Sequence, residues 1–278
     1  MSRVYKYLDT DRLGFLSDGL IRFTPPGALN DPYECLPSIS EELEALAIAE
    51  IKTQHFRNYE PLPTDSRAHR RLKLKSATKL WEQKQKTLIS NQAKFSGNFL
   101  ENALGKMNSA LGILSVSTRW DSALMWSHYT NSYSGFCVGF HRDHDFFSGQ
   151  NAHQRPNFPL SPVEYSVRRL VMSARRLNPE ESIRLLLTKS VNWEYEKEER
   201  KVAFLNQADD TIDSQPFKIS LFKVPFDAIA ELIIGNRASP QVKQQVQEAA
   251  KRLNVPCYET RVSRNSFDVE RALLPVLS

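Results

Sequence analysis

Residues 112–140 read GILSVSTRWDSALMWSHYTNSYSGFCVGF. The segment 112–118 has the character of a strand that ends in hydroxylated residues, Ser115, Ser117 and Thr118. Residues 121–129 read as a short helix, and the apolar run 135–140 as a buried strand. Strand, short helix, strand is therefore the unit around which the other elements are arranged. Toward the N-terminus, residues 4–7 alternate aromatic and basic side chains, as a short strand does. Leu13, Phe15, Leu16 and Leu20 then suggest a helical turn. Residues 20–23 form a second short strand, stopped by Thr24-Pro25-Pro26-Gly27. Asn30-Asp31-Pro32-Tyr33-Glu34 is turn chemistry, because Asn and Asp bond their own backbone and Pro fixes φ.

From about residue 38 to 101 the composition shifts to Ala, Leu, Glu, Lys and Gln. Ser38 to Glu41 resembles a capping box at the head of a helix. Pro61 and Pro63 break the helical run, and His69-Arg70-Arg71-Leu72-Lys73-Leu74-Lys75 opens a second, strongly basic helix. On the C-terminal side, a loop rich in His, Asn and Pro precedes an expected strand at 163–165 and a helix at 179–190. Strands at 198–204, 218–224 and 229–234 follow, then an amphipathic helix at 241–253 and a last strand at 256–262. Strands cluster at both ends and around 112–140, with helices inserted between them. The pattern predicts an α+β fold: a single domain over 1–278 with a helical insertion at about 38–107. No Gly-x-Gly-x-x-Gly follows a strand, and no Gly-x-x-x-x-Gly-Lys is present, so Rossmann and P-loop readings fail.

The 278 residues are 41% hydrophobic and 25% charged, which places the chain in the ordinary globular range. No stretch reaches the roughly 18 apolar residues that a membrane span needs, and the opening lacks a signal-peptide core. A cytoplasmic protein without membrane contact is expected. The three cysteines are far apart and odd in number, which argues against a disulfide framework or a Cys-rich zinc site. His141 and His144 have a metal-compatible spacing of low specificity, and no metal is expected. The net charge of +5 favours encounter with polyanions. The basic helix at 69–86 is the candidate surface for nucleic acid, although a solvated helix face explains the same residues.

Three constellations carry candidate chemistry. The densest is Trp193-Glu194-Tyr195-Glu196-Lys197-Glu198-Glu199-Arg200-Lys201. In a strand, period two places Glu196, Glu198 and Arg200 on one face and Glu199 and Lys201 on the other. Two carboxylates sharing one environment can divide into an acid and a base. A helical turn with ion pairs such as Glu196 with Arg200 is the competing reading. The second joins Ser117 and Arg119 to Trp126, His128 and Tyr129: a hydroxyl to orient a ligand, an arginine for phosphate, aromatic rings to stack on a planar group. These residues equally suit a strand end and the buried face of a short helix, with His128 a hydrogen-bonded core residue. The third is Tyr5-Lys6-Tyr7 with Asn30 to Glu34, where Lys6 can meet a phosphate and Asn30 can hold a turn.

Taken in order, Tyr5-Lys6-Tyr7, Leu20-Ile21-Arg22-Phe23, Asn30-Asp31-Pro32-Tyr33-Glu34, Leu124-Met125-Trp126-Ser127-His128-Tyr129 with Gly135-Phe136, and Trp193-x-Tyr195-Glu196-x-Glu198-x-Arg200 resemble the bacterial domain of unknown function 2971 over nearly the whole chain. Glu199 stands where that family more usually has an aromatic residue. More distantly, the chain is similar to the ADP-ribosyltransferase fold, including its DNA-targeting toxin branch. That resemblance implies a split mixed or antiparallel sheet and NAD as substrate. Glu198 would stabilise the ribosyl cation, and Glu196 would orient the acceptor or act as its base. Lys6 or Arg22 would bind the pyrophosphate, Ser117 would support the glutamate, and Tyr129 would stack on nicotinamide. The same resemblance places Tyr5, Tyr7, Asn30, Trp126, His128 and Arg200 around the nucleotide. Lys6 stands where the fold has a first-strand His or Arg. A role in stress response or phage defence suits such an activity.

Two other functions compete. A non-catalytic binding or sensor module would use the basic helix on nucleic acid. A Mg-dependent nuclease would use Glu199-x-Lys201 together with Asp31 or Glu34.

Overall fold

A computed structural model describes residues 2–90, 92–149, 158–173 and 179–275. Within the His-, Asn- and Pro-rich loop, residues 150–157 lie outside the described ones. The chain has mixed α and β content, and its contacts divide it into two compact units. The first comprises residues 1–34, 107–167 and 187–278, and the second residues 35–106 and 168–186.

The first unit is built on an eight-stranded sheet. Its spatial order is Val269–Leu273, Cys257–Val262, Ile229–Ile234, Phe136–His141, Arg3–Leu8, Leu111–Ser117, Glu198–Phe204 and Ser161–Pro162. Neighbours are antiparallel except Ile229–Ile234 and Cys257–Val262, which run parallel. Parallel neighbours need a crossover, and the helix Pro240–Leu253 supplies it. Ser239 caps that helix by accepting the Val242 amide, Pro240 occupies its first turn, and Asn254 ends it in the left-handed region. Its buried Val242, Val246, Ala249 and Ala250 form the i, i+4, i+7, i+8 stripe of a helix laid on a sheet.

The opening strand Arg3–Leu8 is the centre of the sheet and also its point of parting. It pairs with Phe136–His141 at six positions, but with Leu111–Ser117 only where Tyr5 faces Ser117. Lys6 bridges the two strands beyond that pairing, its Nζ donating to the Ser115 carbonyl at 2.9 Å. Alternation along the opening strand divides the core. Val4 and Leu8 join a large cluster with Leu114, Phe136, Phe140, Phe146 and Phe222, whereas Tyr5 and Tyr7 join a smaller one with Trp126, Cys137 and Ile233. A second antiparallel sheet, Asp210–Ile212, Ile219–Lys223 and Leu20–Phe23, is tied to the first by the bridge from Thr24 to Ile113.

The second unit holds the helices Glu41–Arg57 and Arg67–Ser90, the helix Pro179–Leu186, and a short parallel pairing of Ser38–Ile39 with Val171–Met172. Ser40, not Ser38, caps the first helix, because Ser38 is taken up in that pairing. The basic helix buries only Ala77 and Trp81, and Arg70, Arg71, Lys75, Lys79, Lys84 and Lys86 are exposed.

Most of the expected elements are present, including Glu198–Phe204, Ile229–Ile234 and the short helix Ala123–Tyr129. Two expectations are corrected. The helix expected at 179–190 stops at Leu186, and Thr188–Ser190 pairs with Glu164–Ser166. The strand Cys257–Val262 is not the last, since Val269–Leu273 folds back on it.

Gly135 marks a close approach of two backbone segments. A Cβ there would fall 2.1 Å from the Leu8 carbonyl oxygen, against backbone that cannot swing away. Gly135→Ala should lower stability by about 3 kcal/mol, the upper range for forced overpacking. Urea unfolding would read this directly, and a change within about 0.5 kcal/mol, the range of neutral substitutions, would contradict the packing described.

Candidate functional site

Where the opening strand and Leu111–Ser117 part, a cavity of about 410 Å³ opens within the first unit. Its volume lies in the range of small-molecule sites. Lys6, Ser115 and Ser117 come to it from the parting strands, Glu198 and Arg200 from the next strand, and Tyr129 from the short helix. Asn30 and Glu34 come from the turn after the second strand. Asp9, Arg12 and Arg22 line it as well.

At one end, five buried charged side chains form a single network. Lys189 Nζ lies 2.5 Å from Glu196 Oε2, 3.0 Å from Glu198 Oε2 and 3.2 Å from Glu34 Oε1. Arg200 grips Glu198 with both arms of its fork, Nε to Oε1 at 2.7 Å and a terminal nitrogen to Oε2 at 3.1 Å. The same terminal nitrogen pairs with Glu34 Oε2. Tyr129 donates its hydroxyl to Glu196 Oε1 at 2.5 Å, and Asn30 lines the cavity with it.

Local structure explains why two glutamates two residues apart meet at one place. Ser190 caps a 3₁₀ segment, Val191–Glu196, and Lys197 then turns the chain through the left-handed region with φ 45°. Glu198 begins the strand immediately after the turn. Ser117 fastens the turn by donating to the Glu196 carbonyl at 2.6 Å, and Thr118 donates its amide to the Lys197 carbonyl at 3.0 Å. Tyr165 accepts the Glu198 amide at 2.7 Å. Asp31 accepts the Tyr33 amide and the Trp193 indole, both at 2.9 Å, which fixes the turn that presents Glu34.

The network separates the two glutamates electrostatically. Burial opposes ionisation of Glu198, but Arg200 and Lys189 outweigh it and hold its carboxyl at about 2. For Glu196 burial prevails over Lys189 and the Tyr129 hydrogen bond, so its proton affinity rises. Burial would weaken Lys189 as an acid-bound cation, yet Glu198, Glu34 and Glu196 together raise its pKa above the usual value. Lys6 has less support: burial lowers it to about 8 against the pull of Glu198 and Glu196. The cavity thus holds one firmly ionised carboxylate beside one that takes a proton more readily, the division acid–base chemistry requires.

Of the residues expected at a site, Glu198, Glu196, Lys6, Arg22, Asn30, Ser117, Tyr129 and Arg200 all line this cavity. Tyr5 and Tyr7 line it too, but the Tyr7 hydroxyl donates to the Arg119 carbonyl at 2.9 Å. Trp126 is fully buried in the smaller core, its indole donating to the Trp120 carbonyl at 2.7 Å. His128 is exposed beside Tyr195. Neither lines the cavity. Glu199 and Lys201 belong to the opposite face of their strand: Glu199 pairs with Arg142 at 2.9 Å, and Lys201 donates to the Phe158 carbonyl at 3.1 Å. His144 caps the turn Asp145–Ser148. No group of three His, Cys, Asp or Glu side chains among the described residues is arranged to hold a metal ion.

Sequence reasoning left out Lys189 and Arg12 and left Glu34 unassigned. Lys189 sits in a three-residue strand too short to show alternation, and Glu34 meets its partners only across more than 150 residues of chain.

A family model described as protein of unknown function (DUF2971) matches residues 125–201. That segment contains Tyr129, Lys189, Glu196, Glu198 and Arg200, and the resemblance to this family is supported over it. No curated protein and no solved structure matches the chain.

The depressed lysines give a measurable signature. Unfolded Lys6 holds its proton to the ordinary value of 10.5, whereas the folded group releases it near 8, and Lys201 on the other face behaves alike because of burial. Between those values these two lysines make the unfolded chain bind more protons, a contribution that raises stability with pH from about 8 toward 10. The buried thiols of Cys137 and Cys257, raised from 9.0, contribute with the opposite sign above about pH 9. Each lysine contributes on the order of 3 kcal/mol at most across the full interval. Urea unfolding of the wild type and Lys6→Met at pH 7.5, 8.5 and 9.5 isolates the Lys6 part: the wild type should gain more stability with rising pH, or lose less, than the variant. Parallel profiles would contradict the burial of the Lys6 ammonium group.

Proposed function

We propose that the chain is an ADP-ribosyltransferase-like enzyme that cleaves the nicotinamide–ribose bond of NAD and transfers ADP-ribose to an acceptor. The observation that carries this reading is the pairing of Glu198, held ionised by Arg200 and Lys189, with Glu196, of raised proton affinity, in one cavity. Cleavage leaves the bonding electron pair on the nicotinamide nitrogen and builds positive charge on the ribose. The Glu198 carboxylate, held ionised and fixed by its partners, would stabilise that charge without reorganisation. As the acceptor attacks the ribosyl carbon it loses a proton, and Glu196 is the group suited to take it. Lys6 and Arg22 supply positive charge for the pyrophosphate, Tyr129 offers a ring beside the glutamates, and Ser117 holds the turn that positions Glu196. A part in stress or phage defence is compatible with such consumption of NAD.

A second reading has its own observation. Both oxygens of Glu198 are engaged by Arg200 and Lys189, as in a structural ion network. In that case the protein is a non-catalytic module, with the exposed basic face of Arg67–Ser90 as its surface for nucleic acid. The nuclease reading gains no support from the geometry, since Glu199 and Lys201 are turned away from the cavity.

The deciding experiment is incubation with NAD labelled in its adenylate half, alone and with mixed nucleic acid or lysate. Nicotinamide release or label transfer by the wild type should fall about 100-fold or more in Glu198→Gln, the scale of a lost electrostatic stabiliser. That variant also leaves Arg200 and Lys189 short of an anion, so it should lose roughly 3 kcal/mol of stability and must be assayed where circular dichroism shows it folded. Glu196→Gln retains more of the network and serves as the control for folding. If NAD neither reacts nor binds at millimolar concentration, the binding module replaces the transferase.

A further inference from the structure

Five apolar residues that line the cavity, Leu20, Ala28, Leu29, Ile212 and Leu221, belong to neither hydrophobic cluster of the first unit. All five keep accessible surface, and Ile212 is 50% exposed. Sheet geometry accounts for three of them. In the small sheet Leu221 pairs with Arg22, Lys223 with Leu20 and Ile212 with Ile219. Paired residues of neighbouring strands project to one face, so Leu20, Arg22, Ile212 and Leu221 share a side. The opposite side carries Ile21, Phe23 and Phe222, all buried in the larger cluster. Antiparallel sheets commonly keep one face in the core and turn a polar face to water. Here the outer face presents Leu20, Leu221 and Ile212 to the cavity instead. Ala28 and Leu29 join them from the end of the 3₁₀ turn Pro26–Ala28.

Accessible aliphatic side chains gathered in a cavity beside a few charged groups are the anatomy of a ligand seat. Arg12 and Arg22 line the same cavity, so the occupant carries an anionic group next to its apolar part. The seat is a strand surface whose Ile212 is open to solvent, not a closed tunnel. A flat, rigid ring covers such a surface without the ordering cost that a flexible chain pays. We infer that the outer face of the small sheet is the seat of a nucleotide base, with the purine of an adenine nucleotide held among Leu20, Leu29, Ile212 and Leu221. The choice of adenine rests on the NAD reading above, whereas the seat itself does not depend on any bond being cleaved. The dinucleotide then has its adenine end at the small sheet and its nicotinamide end at the glutamates.

Isothermal titration of the full chain with AMP, ribose 5-phosphate and octyl phosphate tests the assignment. AMP should bind about tenfold tighter than ribose 5-phosphate, the effect of covering one face of a ring. Leu221→Ser and Ile212→Ser should each weaken AMP about three- to tenfold while ribose 5-phosphate binds as it does to the wild type. Ile212 is half-exposed and outside both clusters, so its variant keeps the test open if Leu221→Ser does not fold. The inference fails if AMP does not bind at millimolar concentration, if it binds no tighter than ribose 5-phosphate, or if the folded variants bind it as the wild type does. Octyl phosphate binding tighter than AMP, with the same sensitivity to the variants, would overturn the base in favour of an acyl chain. Preference for AMP in a protein that leaves NAD untouched would uphold the seat and overturn the transferase. NAD turnover without that preference would do the reverse.

Discussion

Glu34, Glu196 and Glu198 are closed around Lys189 and Arg200, and the first unit is organised by that contact. Three buried carboxylates repel one another, and two buried cations carry large desolvation costs, so neither set is tolerable alone. Together they fix the relative positions of four chain segments: the turn after Asn30, the short strand at Lys189, the 3₁₀ segment ending at Glu196 and the strand from Glu198. Within the contact three acids meet two bases, and the buried Lys6 ammonium in the same cavity adds a third positive charge felt by Glu198 and Glu196. Glu196 is the less firmly held acid, because its partners are Lys189 and a neutral phenol, whereas Glu198 has a guanidinium fork as well. The asymmetry between the glutamates is therefore a consequence of who holds Arg200.

A second buried carboxylate shows what a purely structural arrangement looks like in the same chain. Glu231 is fully buried and paired with both Arg3 and Arg271, and Arg271 is flanked by Trp120 and Tyr258 at 4.4 and 4.1 Å from their ring centres. There one acid has two bases, and cation–π contacts complete the shell. The glutamate network reverses the ratio and lines a cavity. An arrangement of three like-charged carboxylates, facing space where a substrate can sit, is an expensive way to hold strands together, which is why it reads as a site.

Much of the fold was legible because its strands obey local rules. Glu198–Phe204, Ile229–Ile234 and Phe136–His141 announce themselves by apolar content and flanking turn residues, and Pro240–Leu253 by its stripe and cap. Val269–Leu273 escaped because Glu270 and Arg271 break its apolar alternation, although Arg271 serves the core through Glu231. The site was legible in part for the same reason. Period two brought Glu198 and Arg200 together, but Glu196 joins them through the left-handed turn at Lys197, which no alternation encodes. Trp126 was read as a stacking platform from its type; its position on the inner side of a seven-residue helix buries it instead. Lys189 and Glu34 acquire meaning only when distant segments are brought side by side.

The glutamate network and the arginines line one cavity but differ chemically. In the network the carboxylates and cations hold one another, and their partners fix both glutamates. Arg12 and Arg22 line the same cavity, and burial, together with the Arg12 charge, lowers the proton affinity of Arg22. In the proposed transferase, binding energy from an anionic group on these arginines would hold the substrate against the rigid network, where an ionised carboxylate stands beside a protonatable one.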